Sequence, residues 1–183
     1  MPGYLVPTNT VDQSTTVGGY NILEAVNAGA VLQVVQGVLA DPVTFTTANA
    51  WTTIGLSASI TPKYSTSKIL IISSIGIGSN GGSSYDAGFG LFKDSTQIAL
   101  PNSPGSRMQV FMPFGDRNQG LYEMVTVSNQ YLDSPGTTSA ITYSIRAYST
   151  NTNAHYINRT GSDSDGPGDS RGISTIVLME IAG

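Results

Sequence analysis

From Val31 onward the chain alternates apolar and polar positions with a period of two. Ile54, Leu56, Ala58 and Ile60 alternate with Gly55, Ser57 and Ser59. A strand points successive side chains to opposite faces, so this stretch predicts a strand with one buried face. Ile141, Tyr143, Ile145 and Ala147 repeat the pattern against Thr142, Ser144, Arg146 and Tyr148. Residues 31–39 are apolar and β-branched, Asp41-Pro42 punctuates them, and a strand follows at 43–47. Residues 68–77 are almost continuously apolar, which predicts a central strand covered on both faces. Further strands are expected at 89–93, 107–112, 121–127, 154–158 and 173–181. Asn80-Gly81-Gly82, Pro101 with Pro104-Gly105, and Gly115-Asp116-Arg117-Asn118 are turn signals between them. About ten short strands, with no helix of normal length after residue 30, predict an all-β fold: an antiparallel β-sandwich or jelly roll. The last strand ends close to the final residue, which predicts a central place for it in a sheet.

Residues 1–30 read differently. Pro2, Pro7 and Gly18-Gly19 interrupt any regular element, and apolar residues are sparse. Residues 21–27 have room for two helical turns, with Asn21 as the cap and Ile22, Leu23 and Val26 on one side. The expected division is a docking arm at 1–30 and a β-sandwich at 31–183. Tyr4, Leu5, Val6, Tyr20, Ile22 and Leu23 are the arm's candidate contacts.

Composition narrows the chemistry. The chain has 183 residues and no cysteine, which excludes disulfides, thiolate metal sites and a cysteine nucleophile. Charged residues are 11% of the chain and the net charge is −4, so no basic footprint for nucleic acid is present. The polar share comes from 22 Ser and 20 Thr. No run is long and apolar enough to span a membrane as a helix, and no basic stretch followed by an apolar one suggests a secretory signal.

Catalytic signatures are missing from the pattern. His155 is the single histidine, and its expected place is the surface or a sheet edge. The three glutamates, Glu24, Glu123 and Glu180, are too scattered to read as an acid pair for glycoside hydrolysis. Gly76-x-Gly78 and Gly88-x-Gly90 lack the helix that a phosphate loop needs. Asp163, Asp165 and Asp169 lie in a Gly-rich loop, a weak hint of a hard cation, but the EF-hand pattern is incomplete and short-range pairing with Arg159 and Arg171 suffices to explain them. The expectation is therefore a non-enzyme with no cofactor and no metal. Nine tyrosines, several beside loops, suit a surface that stacks on sugars, although tyrosine is also a good strand residue.

Four stretches together resemble tail-fibre-like virion proteins of phages that infect cyanobacteria and other aquatic bacteria. They are Val31-Leu-Gln-Val-Val-Gln36; Gly55-Leu-Ser-Ala-Ser-Ile-Thr-Pro62 with Ser67-Lys-Ile-Leu70; Leu132-Asp-Ser-Pro-Gly-Thr-Thr-Ser139 with Ile141-Thr-Tyr143; and Asn158-Arg-Thr160 with Asp165, Ser174-Thr-Ile176 and Met179-Glu-Ile-Ala182. The resemblance implies a β-rich terminal domain of a virion appendage, usually a homotrimer. Such proteins usually carry a long shaft, whereas about 30 residues precede the domain here. A short tail fibre is expected, held to the tail or baseplate by its arm, with host-surface polysaccharide or lipopolysaccharide as partner. The alternative is a capsid decoration or cement protein gripping the shell through the same arm. Candidate glycan contacts are Asn80, Ser84 and Tyr85; Asn102; Asp116 and Arg117; and Arg159, Asp163 and Asp165. No nucleic-acid partner and no membrane insertion are expected.

Overall fold

The structure is a computed structural model. It describes residues 28–79, 87–102, 105–115 and 120–183, together with the backbone of two short strands, β1 (Thr16–Val17) and β2 (Tyr20–Asn21), which pair with each other. The arm residues Tyr4, Leu5, Val6, Ile22 and Leu23 lie outside the described residues, and so does the helical stretch expected after Asn21. Tyr20 falls in β2.

The remaining strands are β3 (Val31–Leu39), β4 (Val43–Phe45), β5 (Thr52–Ile60), β6 (Lys68–Ser79), β7 (Ala87–Lys93), β8 (Thr96–Ile98), β9 (Met112–Phe114), β10 (Met124–Asp133), β11 (Ile141–Ser149), β12 (His155–Ile157) and β13 (Ser174–Ile181). They form two antiparallel sheets. The first sheet centres on β6, which pairs with β10 along one side and with β13 and β12 in succession along the other. Beyond these, β3 pairs with β13 and β4 with β12. In the second sheet β5, β11 and β7 lie in that order, and β7 pairs next with β8 and β9 in succession. The pairs are nested: the first strands with the last, β5 with β11, β6 with β10, and β7 with its immediate successors. The all-β antiparallel sandwich expected from the periodicity is therefore the observed fold.

The alternating positions form the core. Ile54, Leu56, Ile60, Phe89, Leu91, Tyr143 and Ile145 from the second sheet meet Ile69, Ile71, Ile75, Ile77, Ile176 and Leu178 from the first, all buried. Each fully buried aliphatic side chain contributes about 1.5–3 kcal/mol. Asp133, at the end of β10, crosses to the second sheet. It accepts hydrogen bonds from the Tyr143 hydroxyl (2.7 Å) and Lys93 Nζ (3.0 Å). Burial and the bond to Asp133 raise the Tyr143 phenol well above its ordinary value, so the hydroxyl stays protonated and donates. Glu180 is buried in the same register row, on the other side of Ile69, and accepts from Gln33 Nε2 (2.5 Å) and the Lys63 amide (2.7 Å). Burial opposes its ionisation, but these bonds outweigh it and hold the carboxyl below its usual range.

Three expectations need correction. The strand expected at 107–112 exists only as β9; the described residues before it, 99–102 and 105–111, belong to an excursion between β8 and β9, which pair in succession with β7. The strand expected at 121–127 starts at Met124 and runs on to Asp133, because it tracks β6 throughout. His155 is fully buried, since β12 is paired on both sides, and its ring stacks on Phe45 at 5.0 Å.

Candidate functional site

Both sheets carry an excursion over their outer face, and each is seated on a Gly-x-Gly pair. On β7 the inward residues are Phe89 and Leu91, so Gly88 and Gly90 face outward. A Cβ on Gly88 would meet Val110 of the 99–111 excursion at 2.7 Å, and one on Gly90 would meet the Trp51 ring at 2.7 Å. On β6, Gly76 and Gly78 also face outward, beneath a lobe formed by residues 158–173. A Cβ on Gly78 would meet the Arg159 carbonyl oxygen at 2.5 Å. These motifs let chain lie directly on a sheet, where any side chain would hold it off.

The excursion over the second sheet leaves a cleft of about 350 Å³. Trp51, Tyr148, Asn49, Gln97, Arg107 and Gln109 line it. Each is placed for a local reason. Tyr148 and Arg146 are outward residues of β11, and Gln97 sits opposite Phe92 on the same face. Trp51 immediately precedes β5. Its ring lies on Gly90, edge-on to Phe92 at 5.3 Å and tilted 54° to Tyr148 at 5.2 Å. Asn49 adopts a left-handed backbone (φ 56°) and its amide donates to the Ser149 carbonyl at 2.7 Å, which brings it beside Tyr148. Gln97 Nε2 donates to the Gln109 carbonyl at 2.9 Å, and Gln109 Nε2 to the Pro101 carbonyl at 3.2 Å. These bonds tie the excursion down across the cleft. Arg146 stacks on Phe92 at 4.1 Å next to it and donates to the Asp94 carbonyl at 3.1 Å. On the far side of the excursion a second cleft of about 400 Å³ is lined by Leu100, Pro101, Asn129 and Tyr131, with no charged side chain.

The 158–173 lobe is an insertion between β12 and β13, which are successive partners of β6. Asn158, buried and left-handed (φ 61°), donates from Nδ2 to the carbonyls of Leu39 (2.7 Å) and Asp41 (3.2 Å) and accepts from Ser174 Oγ (2.6 Å). Gly172 N donates to the Asn158 carbonyl at 3.0 Å and closes the base. Arg159 lies over the Tyr156 ring at 3.7 Å and donates to the carbonyls of Thr160 and Gly161. Asp163 pairs with Arg171 and, at 3.8 Å, with Arg159. Asp165 is exposed with a left-handed backbone (φ 63°). Asp169 accepts from the amides of Ser164 (2.6 Å) and Gly166 (3.1 Å). The Gly166 amide first, with further bonds from Ser162 and Ser164, lowers its carboxyl to about 2. Asp163 and Asp169 are thus committed to different partners, and Asp165 faces solvent. Among the described residues no group of three or more His, Cys, Asp or Glu is placed to hold a metal ion.

The residues singled out from the sequence are spread over both excursions. Arg159, Asp163 and Asp165 belong to the lobe on the first sheet, whereas Asn102 is exposed on the 99–111 excursion over the second. Asn80, Ser84, Tyr85, Asp116 and Arg117 lie outside the described residues. The lobe packs beside the end of β6 and the segment leading into β10: Ser162 N donates to the Leu121 carbonyl at 2.8 Å, and a Cβ on Gly168 would touch Tyr122. The cleft residues were missed, apart from neighbouring Asn102. A lone Trp beside a strand and a Gly-x-Gly within one were their only sequence signals. No protein-family model matches the chain, and no curated protein matches it.

Proposed function

We propose that the protein is a phage virion structural protein: a short trimeric tail fibre attached through residues 1–30, whose β-sandwich binds host-surface glycans. The observation that carries this reading is the outer face of the first sheet. Register places Val34, Met179, Leu70 and Leu132 in one row across four strands, and Gln36, Val177, Ile72 and Gln130 in the next. Val34 is 56% exposed and Leu132 48%. No charged side chain interrupts these two rows. An apolar sheet face left to water is a strong candidate for burial against copies of the same chain, and closed symmetric assemblies bury it completely. The nested pairing of the strands is, in our reading, jelly-roll wiring, an architecture common in capsid and lectin domains. That likeness is one of fold, which many functions share. The four resembling sequence stretches point to the virion, and their strands supply β3, β5, β6, β11 and β13.

Two measurements test it. Native mass should be three times 19.1 kDa, and Val34→Glu with Ile72→Glu should return a folded 19.1 kDa species. A wild-type monomer would overturn the trimer. Cryo-electron microscopy of intact particles should show three-fold density at the tail. Density spread over the capsid would replace the fibre with a decoration protein, and absence from the particle would overturn both.

A further inference from the structure

We infer that the cleft over the second sheet is a saccharide site and that it prefers sugars bearing a carboxylate. The inference deepens the glycan-binding part of the proposal and takes its ligand class from it, but it moves the site from the loop tips to Trp51, Tyr148, Asn49, Gln97, Gln109 and Arg107. A volume of about 350 Å³ falls at the small end of ligand-sized cavities, which run roughly 300–1,000 Å³. Its wall combines two kinds of group that a pyranose needs. Trp51 and Tyr148 offer adjacent aromatic surface for the C–H face of a ring. Asn49, Gln97 and Gln109 offer amides, each able both to donate and to accept, for vicinal hydroxyls. Gln97 and Gln109 each commit an N–H to the excursion, and an amide has a second N–H beyond it.

The wall is also held in advance of any ligand. Trp51 is wedged on Gly90, Asn49 is tethered to Ser149, and the Gln97–Gln109 bond fixes the opposite rim. Less ordering then remains to be done on binding. Charge sets the selectivity. The protein has 12 acidic residues against 8 basic ones, yet among the described residues the cleft lining includes Arg107 and no carboxylate. A guanidinium in the wall suits an anionic ligand, because its fork of N–H donors matches a carboxylate geometrically.

Trp51 is the chain's single tryptophan, so its emission reports on the cleft alone. The full-length protein is titrated with tetragalacturonate and with neutral galactotetraose, which share ring stereochemistry and differ at C6. Tetragalacturonate should shift the emission saturably and bind about tenfold or more tightly than the neutral sugar. Arg107→Gln should narrow that difference to within about twofold, while Tyr148→Phe should weaken both sugars by a few-fold. No emission change with either sugar would overturn the site, and so would a response that Arg107→Gln leaves intact. Adsorption of labelled protein to host cells, measured in parallel, separates the two readings. Adsorption with a silent Trp51 rejects the cleft and keeps the attachment role. A saturable titration without adsorption keeps the cleft and rejects that role.

Discussion

The two outer faces of the sandwich have the same components and put them to different use. Each carries an excursion resting on a Gly-x-Gly strand. Over the second sheet the excursion leaves a walled cleft of aromatic rings and amides. Over the first sheet the lobe lies close against one end and leaves uncovered two uncharged rows, one apolar and one of aliphatic residues flanked by glutamines. The difference lies in what meets the glycines. Gly78 meets backbone, which seals the lobe to the sheet, whereas Gly90 meets the edge of a ring, which leaves a step beside it. One face is thereby suited to hold a small polar ligand and the other to meet a second protein surface.

Substituting the two glycines tests that contrast. Gly78→Ala drives a methyl to 2.5 Å from a carbonyl fixed in the lobe. It should cost about 3 kcal/mol, the upper end for overpacking. Denaturant unfolding would show it as a lower midpoint with an unchanged slope. Asn158→Ala follows. It leaves the Leu39 and Asp41 carbonyls without the buried donor that links them to the lobe, and a loss of about 2 kcal/mol is expected from the same assay. Gly90→Ala should cost about 1 kcal/mol, because a ring can tilt where a carbonyl cannot, and it should also shift the Trp51 emission. Equal costs at Gly78 and Gly90 would remove the distinction drawn between the two faces.

The smallest expected effect is one of pH. Asp169 falls from an ordinary 3.8 to about 2 in the folded lobe. A depressed carboxyl contributes its stabilisation fully above the ordinary value and loses it as pH drops through the folded one. Amide exchange at Ser164 and Gly166 should therefore stay slow down to about pH 4 and quicken as the pH falls further toward 2. Asp169→Asn should weaken the protection at all pH values and abolish that step. Among its described residues the second sheet's excursion is held by amide-to-carbonyl bonds rather than by a carboxylate, and it should show no matching transition.

The core was legible because burial on one side of a strand leaves a period of two. β5 and β11 follow their alternation residue by residue, and β13 sits between β3 and β6 as its terminal position suggested. The excursions were not legible in the same way. Met108, Val110 and Met112 alternate like a strand, yet before Met112 the segment is held by Val110 on Gly88, by the Gln97 side chain and by one backbone bond from Phe111 to Phe89, not by a continuous ladder. Periodicity records that a side chain is buried and not what buries it. For the same reason Gly88 and Gly90 read as a failed phosphate loop, when their missing side chains are what admit Val110 and Trp51. Among the candidate contacts, Arg159 reads as an exposed loop cation. In the fold its guanidinium is taken up by Tyr156, two carbonyls and Asp163.

The base of the 158–173 lobe has a practical consequence. Its two ends meet through the Gly172–Asn158 bond, and β12 and β13 keep their register on β6 on either side. Length added at the tip is then invisible to the sheet, and each doubling of a flexible loop costs only about 0.6 kcal/mol in closure. Foreign peptides spliced between Asp165 and Gly168 would be carried on a rigid stem, which makes this lobe a natural graft point for a display scaffold.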